Sequence, residues 1–271
     1  MEASILMWNL LKAVGFIALY LCIGLFASFV CVGAGSVHIT FVADLIMVLA
    51  GLLYCVWRVF PEDRSYRERS VFMGFGRFLG QFFELGAIWL LAQMTASIVQ
   101  TRFYDAGYAS YQQSIADSNV LEMLFLTVVL APVMDEVLMR GMVQSCIRER
   151  FGPVAGVLIA SIVFAVLHGT LIHLYVGFVL GIAFGLIYER TRFLPACIFA
   201  HILCNFMSFA LSGVEFSDAS GYVIAAVLLN VWMAVRFFRA LSGMRYDYYA
   251  LKLMSRNDFD ELCFGDREQD G

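Results

Sequence analysis

The sequence predicts an all-α fold, a polytopic transmembrane bundle of about eight helices with both termini in the cytoplasm. Three observations lead there. Of 271 residues, 61% are hydrophobic and only 15% are charged, against about 45–50% and about 25% in soluble domains. The apolar residues fall in runs long enough to cross a hydrocarbon layer of about 30 Å. Lys and Arg concentrate at alternate connections between those runs.

The same composition excludes an ordinary cytosolic enzyme, a disordered chain and a secreted disulfide scaffold. Mean hydropathy is +0.80 and the isoelectric point about 5.6. With a net charge of -4 and no basic stripe, nucleic acid is not an expected partner. Phe 25, Met 13 and Gly 22 suit closely packed helices in lipid, and Pro 4 leaves few sharp breaks. The seven cysteines lie mostly inside apolar runs with no CxxC pair. They read as small hydrophobes rather than disulfides or zinc ligands.

The first run, Ile5 to Val32, exceeds the apolar core of a signal peptide and starts with Glu2 rather than a basic cluster, so it reads as a retained membrane helix. Further runs follow at Phe41–Phe60, Val71–Val99, Val120–Val143, Val154–His168, Leu171–Tyr188, Phe193–Leu211 and Tyr222–Phe238. Arg77, Gln81, Glu84 and Gln93 interrupt the third, whose phenylalanine-rich start suits the membrane interface. Arg58, Arg64, Arg67 and Arg69 flank the connection after the second run, Arg148 and Arg150 follow the fourth, Arg190 and Arg192 the sixth, and Arg236, Arg239, Arg245 and Lys252 the eighth. The positive-inside bias places these even connections in the cytoplasm.

Thr101 to Ser118 is polar and Tyr-rich and is expected outside, as an aromatic belt or a substrate-entry lip. From Leu241 to Gly271 the chain is aromatic and then acidic, and is expected to follow the inner surface and fray. The predicted organisation is 1–118 for the N-terminal membrane helices and outer loop, 119–240 for a helical core carrying the chemistry, and 241–271 for a cytoplasmic tail.

Ionisable side chains at membrane depth are costly, so they face the bundle interior and mark function. Three places stand out: Asp135, Glu136 and Arg140 in the fourth run, Phe164 and His168 in the fifth, and His201 and Asn205 in the seventh. At about 1.5 Å per residue, Asp135 lies roughly 20 Å from Arg148, His168 about 22 Å from Pro153, and His201 and Asn205 roughly 13 Å and 20 Å beyond Arg192. Side chains from three helices therefore share one slab. Glu136 and Arg140, four residues apart, share a face and can pair. Asp135 points about 100° away, so its partner is expected from another helix, with His168 the candidate. His201 and Asn205 also share a face, and their N–H groups can hold a developing oxyanion or act as interhelical glue. A zinc site built from Asp135, Glu136, His168 and His201 is the lesser alternative, since there is no HExxH. His173 and His38 read as ordinary interfacial histidines. Gly177, Gly181 and Gly185 at i+4 spacing form a groove for close helix packing.

These residues resemble the CPBP intramembrane protease family, described as metalloprotease or glutamic protease, which takes in type II CAAX prenyl endopeptidases and bacterial Abi proteins. Its marks are Glu-Glu-x-x-x-Arg, Phe-x-x-x-His and His-x-x-x-Asn on successive membrane helices. Here they read Asp135-Glu136-x-x-x-Arg140, Phe164-x-x-x-His168 and His201-x-x-x-Asn205, within about residues 120–210. Ala131-Pro132, Gly141 and Tyr188 add to the likeness. The resemblance implies an intramembrane endopeptidase that cleaves a peptide or membrane-anchored protein without a cofactor. Asp135 and His168 would activate water, His201 and Asn205 would form the oxyanion hole, and Glu136 with Arg140 would support them. The departure is Asp135, where the family usually has Glu. One methylene fewer withdraws the carboxylate by over an ångström, a misplacement that can cost about a hundredfold in rate.

Two other readings stand beside it. One is a weakened or inactive family member, a scaffold that binds and regulates a membrane or cell-surface protein. The other is a small carrier, against which stands the lack of a repeated half. The expected location is the bacterial plasma membrane, with the lipid bilayer as a constant partner.

Overall fold

The computed structural model describes residues 11–12, 14–19, 21–22, 49, 51–53, 75–116, 120–211 and 220–253. Among them every regular element is helical and none is a strand. The α-helices are α1 (Phe75–Phe103), α2 (Ala106–Ala116), α3 (Val120–Met123), α4 (Ala131–Glu136), α5 (Ser145–Leu167), α6 (Leu171–Thr191), α7 (Leu194–Ala210) and α8 (Ser220–Leu253). Wider π-helical turns, Leu124–Leu130 and Val137–Gln144, flank α4. The expected runs at Ile5–Val32 and Phe41–Phe60, and His38 with them, fall largely or wholly outside the described residues.

Three helical stretches among the described residues are long and apolar enough to cross a membrane: Leu124–Leu167, Leu171–Thr191 and Gly221–Met244. The protein is an integral membrane protein. The fourth and fifth predicted runs are parts of the first stretch, which is continuous in hydrogen bonding but breaks direction at Gly152 (φ 85°, ψ 171°). Glycine tolerates this backbone, and Pro153 after it begins the returning arm without a lost N–H. Two spans are thus joined by one kinked residue rather than by a loop.

Two segments read as connections from the sequence are helical where they are described. The Thr101–Ser118 segment is mostly helical: α2 spans Ala106–Ala116. α8 runs on past Leu241 to Leu253. Neither segment carries a proline, and polarity alone does not break a helix.

Burial sets the layers. In the most apolar stretch of α6, 67% of residues are buried, against 17% in α8. So α6 is the central post and α8 faces outward, exposing Leu228, Val231 and Trp232. The glycine groove explains the tight central pair. A Cβ at Gly177 would stand 3.1 Å from Ala165 Cα, one at Gly181 3.0 Å from Ser161 Cα, and one at Gly185 3.0 Å from Val157 Cγ1. The glycines step down α6 by four as their partners step up α5 by four, an antiparallel contact that any side chain would wedge apart. Phe164, Val179, Phe184, Tyr188 and Cys197 fill the surrounding core.

Candidate active site

The site is built where the arm after Leu124 crosses α5, α6 and α7. Glu136, Arg140 and Gln144 follow one another at i+4 spacing and are fully buried. They lie along α6, where the missing glycine side chains uncover backbone carbonyls. Arg140 Nη2 donates to the Gly181 carbonyl at 3.2 Å, and Gln144 Nε2 to the Gly185 carbonyl at 3.2 Å. Gln144 also donates to Glu189 Oε1 (3.0 Å), and Arg148 Nε to Glu189 Oε2 (2.8 Å). This continuation of the motif toward Gly152 was not singled out in the sequence. The i+4 repeat of Glu136, Arg140, Gln144 and Arg148 is the signal that marks it.

Glu136 is the hub. Its Oε2 lies 3.0 Å from Arg140 Nε, the pair expected from spacing. Its Oε1 lies 3.0 Å from Nδ1 of His201 on α7. The His201 ring stacks on Phe184 (centroids 4.8 Å, 27° between planes) and meets the edge of Phe164 (5.6 Å). Packing and the carboxylate therefore fix both its plane and its orientation. An ionised Glu136 only accepts, so the proton sits on Nδ1. Neutral His201 then presents a lone pair at Nε2, and the imidazolium presents an N–H there.

His168 closes α5. Its own N–H turns to the Ala165 carbonyl, which leaves the Phe164 carbonyl without its usual helical donor. The His168 side chain fills that need, with Nδ1 donating to Phe164 O at 2.7 Å. A carbonyl can only accept, so neutral His168 turns an Nε2 lone pair outward. Gly169 at φ +73° then ends the helix. The ring of Phe164 stands edge-on to His168 at 4.6 Å, which gives the Phe-x-x-x-His spacing a local physical cause.

Asp135 is half-buried, and its electrostatic neighbours are His201, His168, Glu136 and Arg140. Among the described residues it makes no direct ion pair. The expected Asp135–His168 pair is thus one of proximity in a shared field rather than a bond, because His168 Nδ1 is committed to its own helix. Asn205 Nδ2 donates to the Thr127 carbonyl at 2.8 Å, tying α7 to the π-helical turn before α4. The second hydrogen of that amide is left for another acceptor.

His173 is more than an interfacial bystander. Its ring lies 5.9 Å from that of His168 and 5.0 Å from that of Tyr108 on α2. Asp105 binds this outer corner together: Oδ1 accepts from the Tyr108 N–H (3.1 Å) and Oδ2 from the Ile172 N–H (3.2 Å). The Tyr108 N–H above all, with Ile172 and other backbone N–H groups and against some desolvation, holds the Asp105 carboxyl below the usual carboxylate range. Among the described residues no group of three His, Cys, Asp or Glu side chains is placed to hold a metal ion.

Comparison with a family model falls on the same segment. The model of the type II CAAX prenyl endopeptidase Rce1-like family matches residues 117–207. A Bacillus subtilis (strain 168) protein described as "Putative membrane peptidase YdiL" is 26% identical over 172 residues, covering 62% of this chain and 67% of that protein. No solved structure matches. The stretch that carries Asp135, His168, His201 and Asn205 is thus the part of the chain that is similar to the type II CAAX prenyl endopeptidase Rce1-like family.

Proposed function

We propose that the protein is an intramembrane endopeptidase of the bacterial plasma membrane, cleaving a peptide or membrane-anchored protein by attack of water. The observation that supports this reading is the gathering of Asp135, His168 and His201, from three helical segments, into one electrostatic neighbourhood beside the buried Glu136–Arg140 pair.

The chemistry follows from the side chains. Asp135 and the Nε2 lone pair of His168 take a proton from water as its oxygen bonds to the peptide carbonyl carbon. The carbonyl oxygen becomes an oxyanion, held by the free N–H of Asn205 and by Nε2–H of His201. Because Glu136 fixes the Nδ1 proton, His201 donates from Nε2 only as imidazolium, and Glu136 stabilises that charge. Collapse of the intermediate breaks the C–N bond, and the abstracted proton leaves on the amine. No cofactor enters.

The test is hydrolysis of a lipid-anchored fluorogenic peptide by the full chain in detergent. Loss of cleavage in both Asp135→Asn and His168→Ala, with folding kept, supports the reading. Full activity in both ends it. The short Asp135, without a direct bond to His168, favours a second reading: a scaffold that binds and regulates a partner membrane protein. A partner retained on affinity capture by an inactive wild type and by His168→Ala alike would select it.

A further inference from the structure

A cavity of about 250 Å³ opens away from the candidate active site, between α1, α6 and α8. Its floor is apolar, with Leu85, Ile187 and Phe237 among its members, and its rim carries Arg190, Arg236, Arg239 and Glu84. Arg190 is the penultimate residue of α6, and Arg236 and Arg239 lie at and just past the midpoint of α8. The positive-inside pattern puts all three at the cytoplasmic membrane surface.

The rim charges are not equivalent. Arg236 reaches Glu84 Oε1 through Nη2 (2.8 Å) and Nε (3.2 Å), and lies 5.9 Å from the centroid of the Trp232 ring. That pair is internally neutral and pins α8 to α1. Arg190 and Arg239 are exposed and have no ion-pair partner among the described residues. Two uncompensated guanidinium groups thus stand over a greasy floor at the depth where lipid headgroups begin. Arginine matches phosphate oxygens in two-point hydrogen bonding. Basic pockets between membrane helices on the cytoplasmic side suit anionic headgroups.

We propose that this cavity is a binding site for an anionic phospholipid, with the phosphate between Arg190 and Arg239 and an acyl chain against the Leu85–Phe237 floor. The combination selects a lipid over a soluble anion. A free phosphate would gain nothing from the floor, and a neutral lipid nothing from the uncompensated charges. Such a lipid would join the outward-facing α8 to the central α6 and add to the tie that the Glu84–Arg236 bridge makes. The site stands independently of whether the protein hydrolyses peptides.

The experiment is lipid binding to the full chain in detergent, read by native mass spectrometry and by thermal unfolding. The probes are palmitoyl-oleoyl-phosphatidylglycerol, the matching phosphatidylcholine, and inorganic phosphate. Phosphatidylglycerol is expected to bind at least about tenfold more tightly than phosphatidylcholine and to raise the unfolding temperature. Arg190→Gln and Arg239→Gln are each expected to weaken its binding roughly fivefold, as for the loss of one basic residue near an anionic surface. The corresponding Lys variants keep the charge but not the two-point geometry and are expected to bind more tightly than the Gln forms and less tightly than wild type, which guards against misfolding of the Gln forms. Arg150→Gln removes a charge from an exposed cytoplasmic position outside the cavity and leaves binding unchanged. Equal affinity for the two lipids overturns the proposal. So does an equal loss in Arg150→Gln, which marks diffuse surface charge, or equal stabilisation by inorganic phosphate, which marks a soluble-anion site.

Discussion

Glu136 holds Arg140 through one carboxylate oxygen and His201 through the other, each at 3.0 Å. One fully buried carboxylate therefore sets two cationic or potentially cationic groups on different helices. Removing it leaves the Arg140 charge buried without its counter-ion. Glu136→Gln is expected to destabilise the fold by about 3–5 kcal/mol, measured as denaturant unfolding in detergent. Glu136→Gln with Arg140→Met recovers part of that loss, since no unpaired charge remains. It does not recover activity, because the amide still accepts from His201 Nδ1 but carries no charge to stabilise the imidazolium.

His168 carries its Nδ1 proton to the Phe164 carbonyl, so its proposed role in catalysis and its role as a helix cap are separable. His168→Ala is expected to lower kcat by about 10²–10⁴, the usual range for a lost proton acceptor. The loss of the cap hydrogen bond costs only about 1 kcal/mol of stability. Steady-state kinetics and an unfolding curve on one preparation distinguish the two. A stability loss as severe as the activity loss would make His168 a structural residue only.

Gly181 and Gly86 give opposite results on conversion to alanine. At Gly181 the new methyl would stand 3.0 Å from Ser161 Cα, a backbone-borne atom that cannot rotate away. The α5–α6 contact must open, at a cost of about 1–3 kcal/mol, and the Arg140 bond to the Gly181 carbonyl lengthens with it. At Gly86 nothing lies within 4 Å, and alanine is the better helix former. The unfolding temperature is expected to fall for Gly181→Ala and to hold or rise for Gly86→Ala.

Asp105 makes the outer corner sensitive to acid. Its carboxyl is held low by the Tyr108 N–H first and the Ile172 N–H after it. A depressed folded-state value means that the contribution to stability is present above the unfolded-state titration. It is lost as pH falls through the folded-state one. The difference in unfolding temperature between wild type and Asp105→Ala is expected to be constant above the unfolded-state titration and to vanish as pH falls through the depressed folded-state one. A difference that persists at the acid end would mean that the carboxylate does not act through its charge.

Much of this site was legible along the chain. The period of the helix puts Glu136 beside Arg140 and His201 near Asn205 without knowledge of any other element. The four-residue step of Gly177, Gly181 and Gly185 likewise announces a close neighbour. Depth counting places Asp135, His168 and His201 in one slab, because rise per residue is a property of each helix alone. The π-helical turns around α4 left no such mark, since they change the residues per turn without changing composition.

What tertiary structure decided is which faces meet. It turned Glu136 toward His201 on α7 as well as toward Arg140, tied Asn205 to the Thr127 carbonyl, and gave Gln144 and Arg148 to Glu189. Among the described residues it also kept Asp135 from direct pairing with His168, and left Arg190 and Arg239 over an apolar hollow without an ion-pair partner. Neighbours within one helix are fixed by its repeat. Partners on different helices depend on how the helices cross and rotate, and that is set by the packing of every contact at once.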